Sequence, residues 1–330
     1  MGLWFSLLTV VMLVLLVFMG VEALGLTYFF GIVIPYSALL VFLAGVVLRV
    51  TKWAKSPVPF RIPTTCGQQK SLPWIKGNNL ENPYNTLGVI VRMALEVLLF
   101  RSLFRNTSAE LRNGPRVVYG GTKWLWLGGL AFHWSFLFIL IRHLRFFTEP
   151  IPFFANMFVS VDGLFETGVP TLYMTDITIL LAVTYLFLRR VVIPQIRYIS
   201  LAADYLPLFL VLGVALSGVL MRHFYKVDIL KVKELATGLF SFHPVIPNGI
   251  GLPFYIHLFL VSTLLAYFPF SKLMHMGGVF LSPTINLANN NRMRRHVNPW
   301  NYPVKVHTYE EYEDEFRDKM KAAGIPVEKE

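Results

Sequence analysis

Cysteine is almost absent from this chain. Among 330 residues there is one, Cys66, and there is no Cys-x-x-Cys-His sequence. A disulfide within the chain is therefore excluded, as are a covalently attached haem and a cysteine-ligated iron–sulfur cluster. We interpret Cys66 as an ordinary loop residue. Any redox cofactor in this chain has to be bound non-covalently, and iron–sulfur or c-type centres have to reside on partner proteins.

Charged residues are also scarce. They make up 15% of the chain, hydrophobic residues make up 55%, and the mean hydropathy is +0.55, whereas charged residues are about 25% of a typical soluble protein. No Walker loop, dinucleotide-binding glycine motif or catalytic triad is present. Since a helix needs roughly 20 apolar residues to cross a bilayer, the sequence predicts an all-α integral membrane helical bundle. About six transmembrane helices are expected, at residues 3–22, 27–49, 123–145, 170–190, 203–222 and 253–276.

Two of these segments allow more than one interpretation. Residues 1–22 have the position of a signal peptide, but no basic residue precedes the apolar run, and the run is too long for an h-region. We therefore interpret this segment as a retained helix. The fourth segment is the weakest, because Asp176 lies near its start and Arg189 and Arg190 close its end.

The basic residues are distributed unevenly along the chain. The formal net charge is +11, and the loop 51–121 has ten Lys or Arg residues against three acidic ones. The two loops on the opposite side together have six basic residues: Arg142, Arg145, Arg222, Lys226, Lys231 and Lys233. Basic residues mark the cytoplasmic side of a membrane protein. The pattern predicts a multi-pass protein of the cell membrane, with both termini cytoplasmic, the lipid bilayer around it and no nucleic-acid partner.

Four regions follow from this topology. They are two N-terminal transmembrane helices in 1–50, a basic cytoplasmic loop in 51–121, a four-helix core in 122–280 and a cytoplasmic C-terminal tail in 281–330. Within the loop, residues 86–105 predict an interfacial helix with Arg92 and Glu96 as an i,i+4 pair; a buried re-entrant helix is the alternative. In the tail, TYEEYEDEFRDKMKAAG predicts a helix that is either simply solvated or a docking surface for a cytoplasmic subunit.

Four histidines lie within apolar stretches of helix length. His133 and His143 are in the third predicted crossing, and His257 and His275 are in the sixth. Ionisable residues in hydrocarbon are rare and usually functional. Antiparallel helices pair His143 with His257 and His133 with His275. Haem, held by an imidazole on each face, fits such a gap, so the sequence predicts four iron ligands, two haems b and a transmembrane electron carrier.

The two histidine pairs match unequally in depth. At 1.5 Å per residue, His143 and His257 both lie about 30 Å from the cytoplasmic boundary. Separations of 10 and 18 residues correspond to about 15 and 27 Å of rise. The pair of His133 and His275 therefore needs tilt, side-chain reach or a kink to absorb about 12 Å. Pro269 lies between His257 and His275 and can kink the helix.

Arginines flank the outer histidine. Arg142 and Arg145 predict cationic partners for haem propionates, with Arg222 as a further candidate. Simple positive charge at a membrane boundary is the alternative for all three. The remaining histidines are weaker candidates for iron ligands: His223, His243, His296 and His307.

At these residues the chain resembles a known family. The spacing His133-x9-His143 and His257-x17-His275 is similar to that of the dihaem cytochrome b gamma subunit of respiratory nitrate reductase, over about residues 120–280. The extra first helix, the long basic loop and the tail sequence LSPTINLANNNRMRRHVNPWN resemble more closely the membrane cytochrome b subunit of the sulfite-reduction-associated complex, the DsrM family. The resemblance implies that region 122–280 is a dihaem cytochrome b core.

The same resemblance implies a function. Menaquinol is oxidised, and electrons pass to a cytoplasmic iron–sulfur subunit resembling heterodisulfide reductase, in a complex of dissimilatory sulfate reduction. A periplasmic multihaem cytochrome c, an iron–sulfur protein and a second membrane subunit are the other implied partners. We expect the quinol site beside the outer haem, with His223 as a weak candidate for the proton acceptor. A transporter and a haem-free membrane anchor are the alternatives; a transporter predicts broken helices or charged residues at mid-membrane.

Overall fold

The structure is a computed structural model that describes residues 1–57, 67–163, 173–293 and 306–329. The α-helices are α1 Gly2–Phe18, α2 Ile34–Ala54, α3 Thr86–Leu99, α4 Arg101–Arg105, α5 Lys123–His143, α6 Phe153–Asp162, α7 Met174–Val192, α8 Pro194–Ile199, α9 Ala202–His223, α10 Ile229–Phe240, α11 Leu252–Tyr267, α12 His275–Leu281, α13 Pro283–Asn286 and α14 Tyr309–Ala322. The chain is π-helical at Met19–Ala23 and Phe29–Val33. It forms 3-10 turns at Leu144–Phe146, Phe268–Phe270 and Lys272–Met274. Strands β1 Thr107–Arg112 and β2 Arg116–Gly121 form an antiparallel hairpin. The predictions for Cys66 and His296 lie outside the described residues.

The predicted all-α membrane bundle is confirmed. Within the described residues, five segments are long and apolar enough to cross a bilayer: Gly2–Ala23, Phe29–Ala54, Lys123–Phe146, Ala202–His223 and Leu252–Phe270. They expose large apolar side chains, such as those of Leu40 and Leu48, that hydrocarbon solvates. Hydrophobic length and composition thus account for five of the expected crossings.

The fourth predicted crossing corresponds to α7, which is 19 residues long. It is less apolar than the five segments above, because Asp176, Arg189 and Arg190 lie in it. Nevertheless, α7 runs between the same two ends of the bundle as its neighbours. It begins where Asp176 contacts Arg142 at the end of α5, and it ends where Arg190 contacts Ser200 just before α9. A sixth crossing at α7 stays a prediction.

Helix α9 is the centre of the bundle and packs against α1, α7 and α11. One buried core joins Val10 of α1 to Leu210 of α9 and Leu260 of α11, and another joins Val183 of α7 to Val211 of α9. Helix α2 packs on α11, and α5 packs on α7. Helices α5 and α11, which carry His133, His143 and His257, are therefore held apart by α7 and α9.

The two ends of the helical bundle are called the tail end and the far end. At the tail end, α1 and α9 begin side by side, and the Ser6 hydroxyl donates to the Ala202 carbonyl at 3.0 Å. Helix α5 also begins at the tail end, and α11 ends there before the C-terminal segment. The opposite, far end carries the ends of α5 and α9 and the start of α11.

The sixth predicted crossing was expected to run as one helix through His275, and this is wrong. Helix α11 ends at Tyr267, and the chain continues through two 3-10 turns separated by Ser271, whose backbone is extended (φ −107°, ψ 178°). Pro269 lacks the N–H that would continue the helix, and its ring crowds the preceding turn. His275 therefore starts a new helix, α12, with its own direction.

Region 51–121 is more structured than the sequence indicates. The helix predicted over 86–105 forms as two helices, α3 and α4, because the backbone of Phe100 is left-handed (φ 49°). The hairpin was not foreseen. The i,i+4 pair in α3 is wrong: the buried Arg92 guanidinium donates to the Glu81 carbonyl, and the Glu96 carboxylate accepts from the Ser102 backbone N–H at 3.1 Å. Both charges find partners outside α3 because the chain folds back on the helix at each end.

Helix α3 ends deep alongside α5. The indole N–H of Trp134 donates to the Leu98 carbonyl at 3.0 Å, and that of Trp126 donates to the Leu99 carbonyl at 2.7 Å. The two indoles thus satisfy carbonyls that the end of a helix leaves open. Trp134 lies about 16 Å along α5 from its start, so this contact favours the re-entrant alternative for α3.

The segment after α13 packs on the 67–99 region. The Asn289 backbone N–H donates to the Pro83 carbonyl at 2.6 Å, and its side chain donates to Asn82 Oδ1 at 2.8 Å. The acidic tail helix forms as predicted, as α14. Its Glu313 carboxylate is buried and accepts the backbone N–H groups of Glu328 and Lys329, each at 2.8 Å, which lower the pKa of Glu313.

The close packing of α5 on α7 predicts different effects of two neighbouring substitutions. A Cβ atom at Gly128 would lie 2.5 Å from the Tyr185 ring, whereas one at Gly129 would make an ordinary contact of 3.8 Å with Leu103. Gly128→Ala should lower the free energy of unfolding by about 1–3 kcal/mol through overpacking. Thermal unfolding of the detergent-solubilised protein measures this.

Gly129→Ala is the matched control for that substitution, because it adds the same methyl group to the same helix. Its unfolding temperature should equal or slightly exceed that of the wild type. Equal stability of Gly128→Ala and Gly129→Ala would contradict the packing of α5 on α7.

Candidate functional site

The structure brings two of the predicted histidines together at the far end. His143 is on the last turn of α5 and His257 is on the second turn of α11. Their imidazole rings face each other in nearly parallel planes, with centroids 6.4 Å apart and an interplanar angle of 16°. The equal depths expected from the sequence produce this pairing without distortion of either helix.

The second predicted pair meets nearer the tail end. The rings of His133 and His275 have centroids 5.9 Å apart and are nearly perpendicular, at 84°. His133 is also flanked edge-on by Phe100 and Phe132, at 4.8 and 4.9 Å. The break of α11 after Pro269 returns the chain towards α5 and absorbs the mismatch in depth. A kink was among the solutions that the sequence allowed.

One nitrogen of each histidine is already hydrogen-bonded within the protein. Nδ1 of each ring contacts an oxygen acceptor: the Gly129 carbonyl at 2.7 Å for His133, the Ile139 carbonyl at 2.6 Å for His143, the Ser217 hydroxyl at 2.9 Å for His257 and the Lys272 carbonyl at 2.8 Å for His275. The Ser217 hydroxyl donates its own proton to the Val214 carbonyl. Such a bond fixes the tautomer with Nδ1 protonated and leaves Nε2 as a metal ligand.

The separations within each pair fit a single metal between two imidazoles. A metal–imidazole bond is about 2 Å long, and a ring nitrogen is roughly 1 Å from its ring centre, so two opposed ligands have centroids about 6 Å apart. In the described part of the chain, no group of three or more His, Cys, Asp and Glu side chains gathers around a common point. Two imidazoles alone suit a metal whose other ligands come from a macrocycle, as in haem.

Arg142 lies in a buried cluster of charged side chains. Its two terminal nitrogens contact Asp162 at 2.6 Å and Asp176 at 2.7 Å, all three side chains being buried. Asp162 also accepts hydrogen bonds from the backbone and hydroxyl of Thr175. The expectation that Arg142 binds a propionate is not supported by this geometry, because α6 and α7 supply carboxylates of the protein itself.

Arg145 retains a free donor beside the pair of His143 and His257. Its guanidinium lies 4.8 Å from the Phe146 ring, which in turn lies 5.8 Å from the ring of His143. The Nε atom of Arg145 is buried and has no hydrogen-bond partner among the described residues. A buried donor without a partner is costly, and an anionic group such as a propionate would satisfy it.

Arg49 was missed by the sequence reasoning. Gly45, Arg49 and Trp53 recur every four residues on one face of α2. On that face, Gly45 abuts Pro269, and Trp53 contacts α12 at the position of Gly277. Arg49 therefore stands opposite the segment that ends in His275.

The side chain of Arg49 is also incompletely satisfied. Its Nε atom is buried without a partner within the described ranges. A single arginine within an otherwise apolar crossing, 27–49, was the signal that could have found it. The two histidine pairs thus each have one arginine nearby with an unused, buried donor.

The other histidines are not paired with one another in the described part of the chain. His243 Nδ1 contacts the Ser241 carbonyl at 2.8 Å on the surface, and His307 lies 3.7 Å from Glu315. His223 ends α9, and its Nε2 atom is buried without a protein partner in the region described.

This chain is similar to known proteins. Residues 92–294 match the family model of the nitrate reductase gamma subunit. The Hdr-like menaquinol oxidoreductase cytochrome b-like subunit of Archaeoglobus fulgidus is 46% identical over 278 residues, which cover 82% of this chain and 83% of that protein. The protein of the same name from Archaeoglobus profundus is 41% identical over 286 residues, covering 84% and 83%.

The family match spans most of the region that carries the histidines, and the two archaeal relatives cover most of the chain. The chain therefore belongs to the nitrate reductase gamma subunit family, as a membrane cytochrome b subunit of a quinol-linked oxidoreductase.

Proposed function

We propose that this subunit oxidises menaquinol near the far end and conducts the electrons through two haems b to a cytoplasmic iron–sulfur subunit that resembles heterodisulfide reductase. The complex would act in sulfur metabolism. The observation that carries the proposal is the pair of facing imidazoles at each of two depths, each ring with Nδ1 occupied and Nε2 available.

The path of the electrons follows α5. His133 and His143 are separated by about 15 Å of helix rise, so the two pairs divide the bilayer into shorter steps. Haem, when bound, supplies reversible one-electron transfer, and two imidazoles leave its iron without an open coordination position. The protein orients the ligands through Nδ1 and surrounds them with apolar side chains that exclude water.

The orientation in the membrane follows from charge. The tail end carries the basic residues of the 67–121 region, and Lys272 and Arg190 also lie there, close to Asp204. With the tail end in the cytoplasm, both termini are cytoplasmic. The pair of His133 and His275 then lies on the side where electrons leave.

The names of the two archaeal relatives support the proposed substrate and partner. Both are called menaquinol oxidoreductase subunits, and both are called Hdr-like. A heterodisulfide-reductase-like partner has to dock at the tail end, where α12 carries His275 and where the segment around Asn289 packs on the 67–99 region. A periplasmic multihaem cytochrome c and further membrane subunits complete the proposed assembly.

The alternatives make different demands on the structure. A transporter predicts helices that break at mid-membrane, whereas α11 ends at Tyr267, at the tail end of the bundle. A haem-free anchor gives no reason for four histidines with Nδ1 occupied and rings facing in pairs. The optical spectrum of the purified protein discriminates: b-type bands at two haems per chain support the proposal, and a colourless protein contradicts it.

Single histidine substitutions test the two sites. His133→Ala and His275→Ala should each remove the same haem, and His143→Ala and His257→Ala should each remove the other, because one imidazole cannot replace a lost axial partner. Haem content per chain and the reduced spectrum measure this. His243→Ala is the control and should retain both haems.

Different haems lost on changing His133 and His275 would contradict the pairing. A full complement of two haems in any of the four variants would remove that histidine from the ligand set.

The arginines near the two sites should set their midpoint potentials. A cation stabilises the reduced haem, which is less positive than the oxidised one. Arg145→Gln should therefore lower the potential of the haem of His143, and Arg49→Gln that of His275, each on the order of tens of millivolts. Arg145→Lys and Arg49→Lys keep the charge and should shift the potential less.

Redox titrations of the purified protein, followed optically, give these potentials. A shift of the distant haem alone, or no shift with Gln at either position, would contradict the assignment of that arginine.

A truncation tests the docking surface. Ending the chain after Met293 removes α14 but keeps the Asn289 contacts with Asn82 and Pro83. Both haems should remain reducible, while the cytoplasmic subunit should no longer co-purify. Retention of the partner by the truncated chain would exclude residues 294–330 from docking and leave the 51–121 region.

A further inference from the structure

A cavity of about 260 Å³ opens at the far end of the bundle. It lies between the turn that joins the first two crossings and the segment that leads into α11. Its apolar walls include Val21, Ile246 and Ile250, and its polar groups include Glu22, Asn248 and Tyr255. Small-molecule sites enclose roughly 300–1,000 Å³, so this cavity suits one ring system whose remaining part extends into the lipid.

The backbone around the cavity has an unusual form. Both Met19–Ala23 and Phe29–Val33 are π-helical, and the Leu24 N–H donates to the Met19 carbonyl at 3.2 Å. π-Helical turns are rare and frequently mark functional sites. One of these turns carries Glu22, and the other faces Tyr255.

Two glycines fix the shape of this region. Gly20 leaves the space in which the Phe30 ring lies, and a Cβ atom at Gly31 would be 3.3 Å from the Tyr255 ring. Tyr255 itself is buried in a core with Val17. The cavity is therefore bounded by packed elements.

Two polar groups of the cavity are unused by the protein. Neither the Glu22 carboxylate nor the Tyr255 hydroxyl has a hydrogen bond or an ion pair with any described residue. Glu22 is exposed while it lines the cavity, so its carboxylate can exchange protons with water. An acceptor and a hydroxyl beside apolar walls match a hydroxylated aromatic ring.

The cavity is close to the outer histidine pair. Tyr255 and His257 are two residues apart on α11 and so point to nearly opposite sides of it. A helix with its side chains is about 10–12 Å across. The cavity and the His143–His257 pair are thus separated by the width of a single helix.

We propose that this cavity binds the head group of the quinol and that Glu22 accepts its protons. The inference deepens the proposed function and rests on it. Oxidation of one quinol to the quinone breaks two O–H bonds and releases two electrons and two protons. The electrons leave singly to a ferric haem held by His143 and His257, and the protons pass through Glu22 to the water at the far end.

The site is only partly within the family match. Val21, Glu22 and Thr27 precede the segment 92–294 that matches the nitrate reductase gamma model, whereas the other lining residues, from Ile246 to Tyr255, lie inside it. The turn between the first two crossings thus adds one wall, with Glu22, to a cavity whose other wall belongs to the family core.

Two variants of the haem-loaded protein test the proposal. Glu22→Gln removes the proton acceptor but keeps the size of the side chain. It should slow haem reduction by menadiol about 100-fold, as is typical of losing a general base, while menadione binding by calorimetry stays unchanged. Asn248→Trp should fill the cavity and weaken menadione binding about tenfold or more. Glu234→Gln, an exposed acid on α10, is the matched control for charge.

Reduction by dithionite separates the possible results. Normal dithionite spectra with slow menadiol reduction in Glu22→Gln support the assignment, and weak binding in Asn248→Trp supports the cavity. A menadiol rate in Glu22→Gln within about twofold of the wild type would overturn the role of Glu22, and unchanged binding in Asn248→Trp would overturn the cavity. Wild-type haems that dithionite reduces but menadiol does not would overturn the proposed function as well.

Discussion

Hydrogen bonding of imidazole in hydrocarbon is the constraint on which the site depends. No water is available to either ring nitrogen there, so each histidine has to find an acceptor for one nitrogen and a use for the other. His133 and His143 satisfy Nδ1 with the carbonyl four residues earlier on α5, and His257 uses Ser217 of α9. These bonds also set the rotamers, because a ring held at Nδ1 points its Nε2 away from its own helix.

The separation of the histidine helices is the second requirement, and α7 and α9 provide it. A buried cluster stabilises the far end of this arrangement: Arg142 bridges Asp162 of α6 and Asp176 of α7. Removing Arg142 from this cluster would leave two buried carboxylates without a cation, at a cost of about 3–5 kcal/mol. The charges that weaken α7 as an apolar crossing are thus those that attach it to α5.

Much of this fold is predictable from the sequence, because a segment that crosses lipid hydrocarbon has to be apolar and satisfy its own backbone hydrogen bonds in a helix. Apolar length predicted the crossings, and the equal depths of His143 and His257 on antiparallel helices predicted their pairing. The features that the sequence did not predict depend on contacts between residues that are distant in the chain. The face of α3 on which Arg92 lies was predictable from helical spacing. Its hydrogen-bond partner was not, because Glu81 lies in the loop before the helix. The end of α11 was not predictable, because a proline can kink a membrane helix or terminate it. Arg49 became visible only once α2 was seen to pack on the segment after Pro269.

The two pairs differ in a way that matches their proposed tasks. The outer pair lies between long helices, with rings 16° from parallel. The inner pair depends on α12, a helix of seven residues, and its rings are nearly perpendicular. Since α13 follows α12 directly and packs on α3, His275 is connected through a few residues to the surface where a cytoplasmic partner would bind. The break in α11 therefore does two things: it corrects the depth of His275, and it places this ligand next to the docking segment. An unbroken helix would do neither, because it would carry His275 about 12 Å beyond the level of His133.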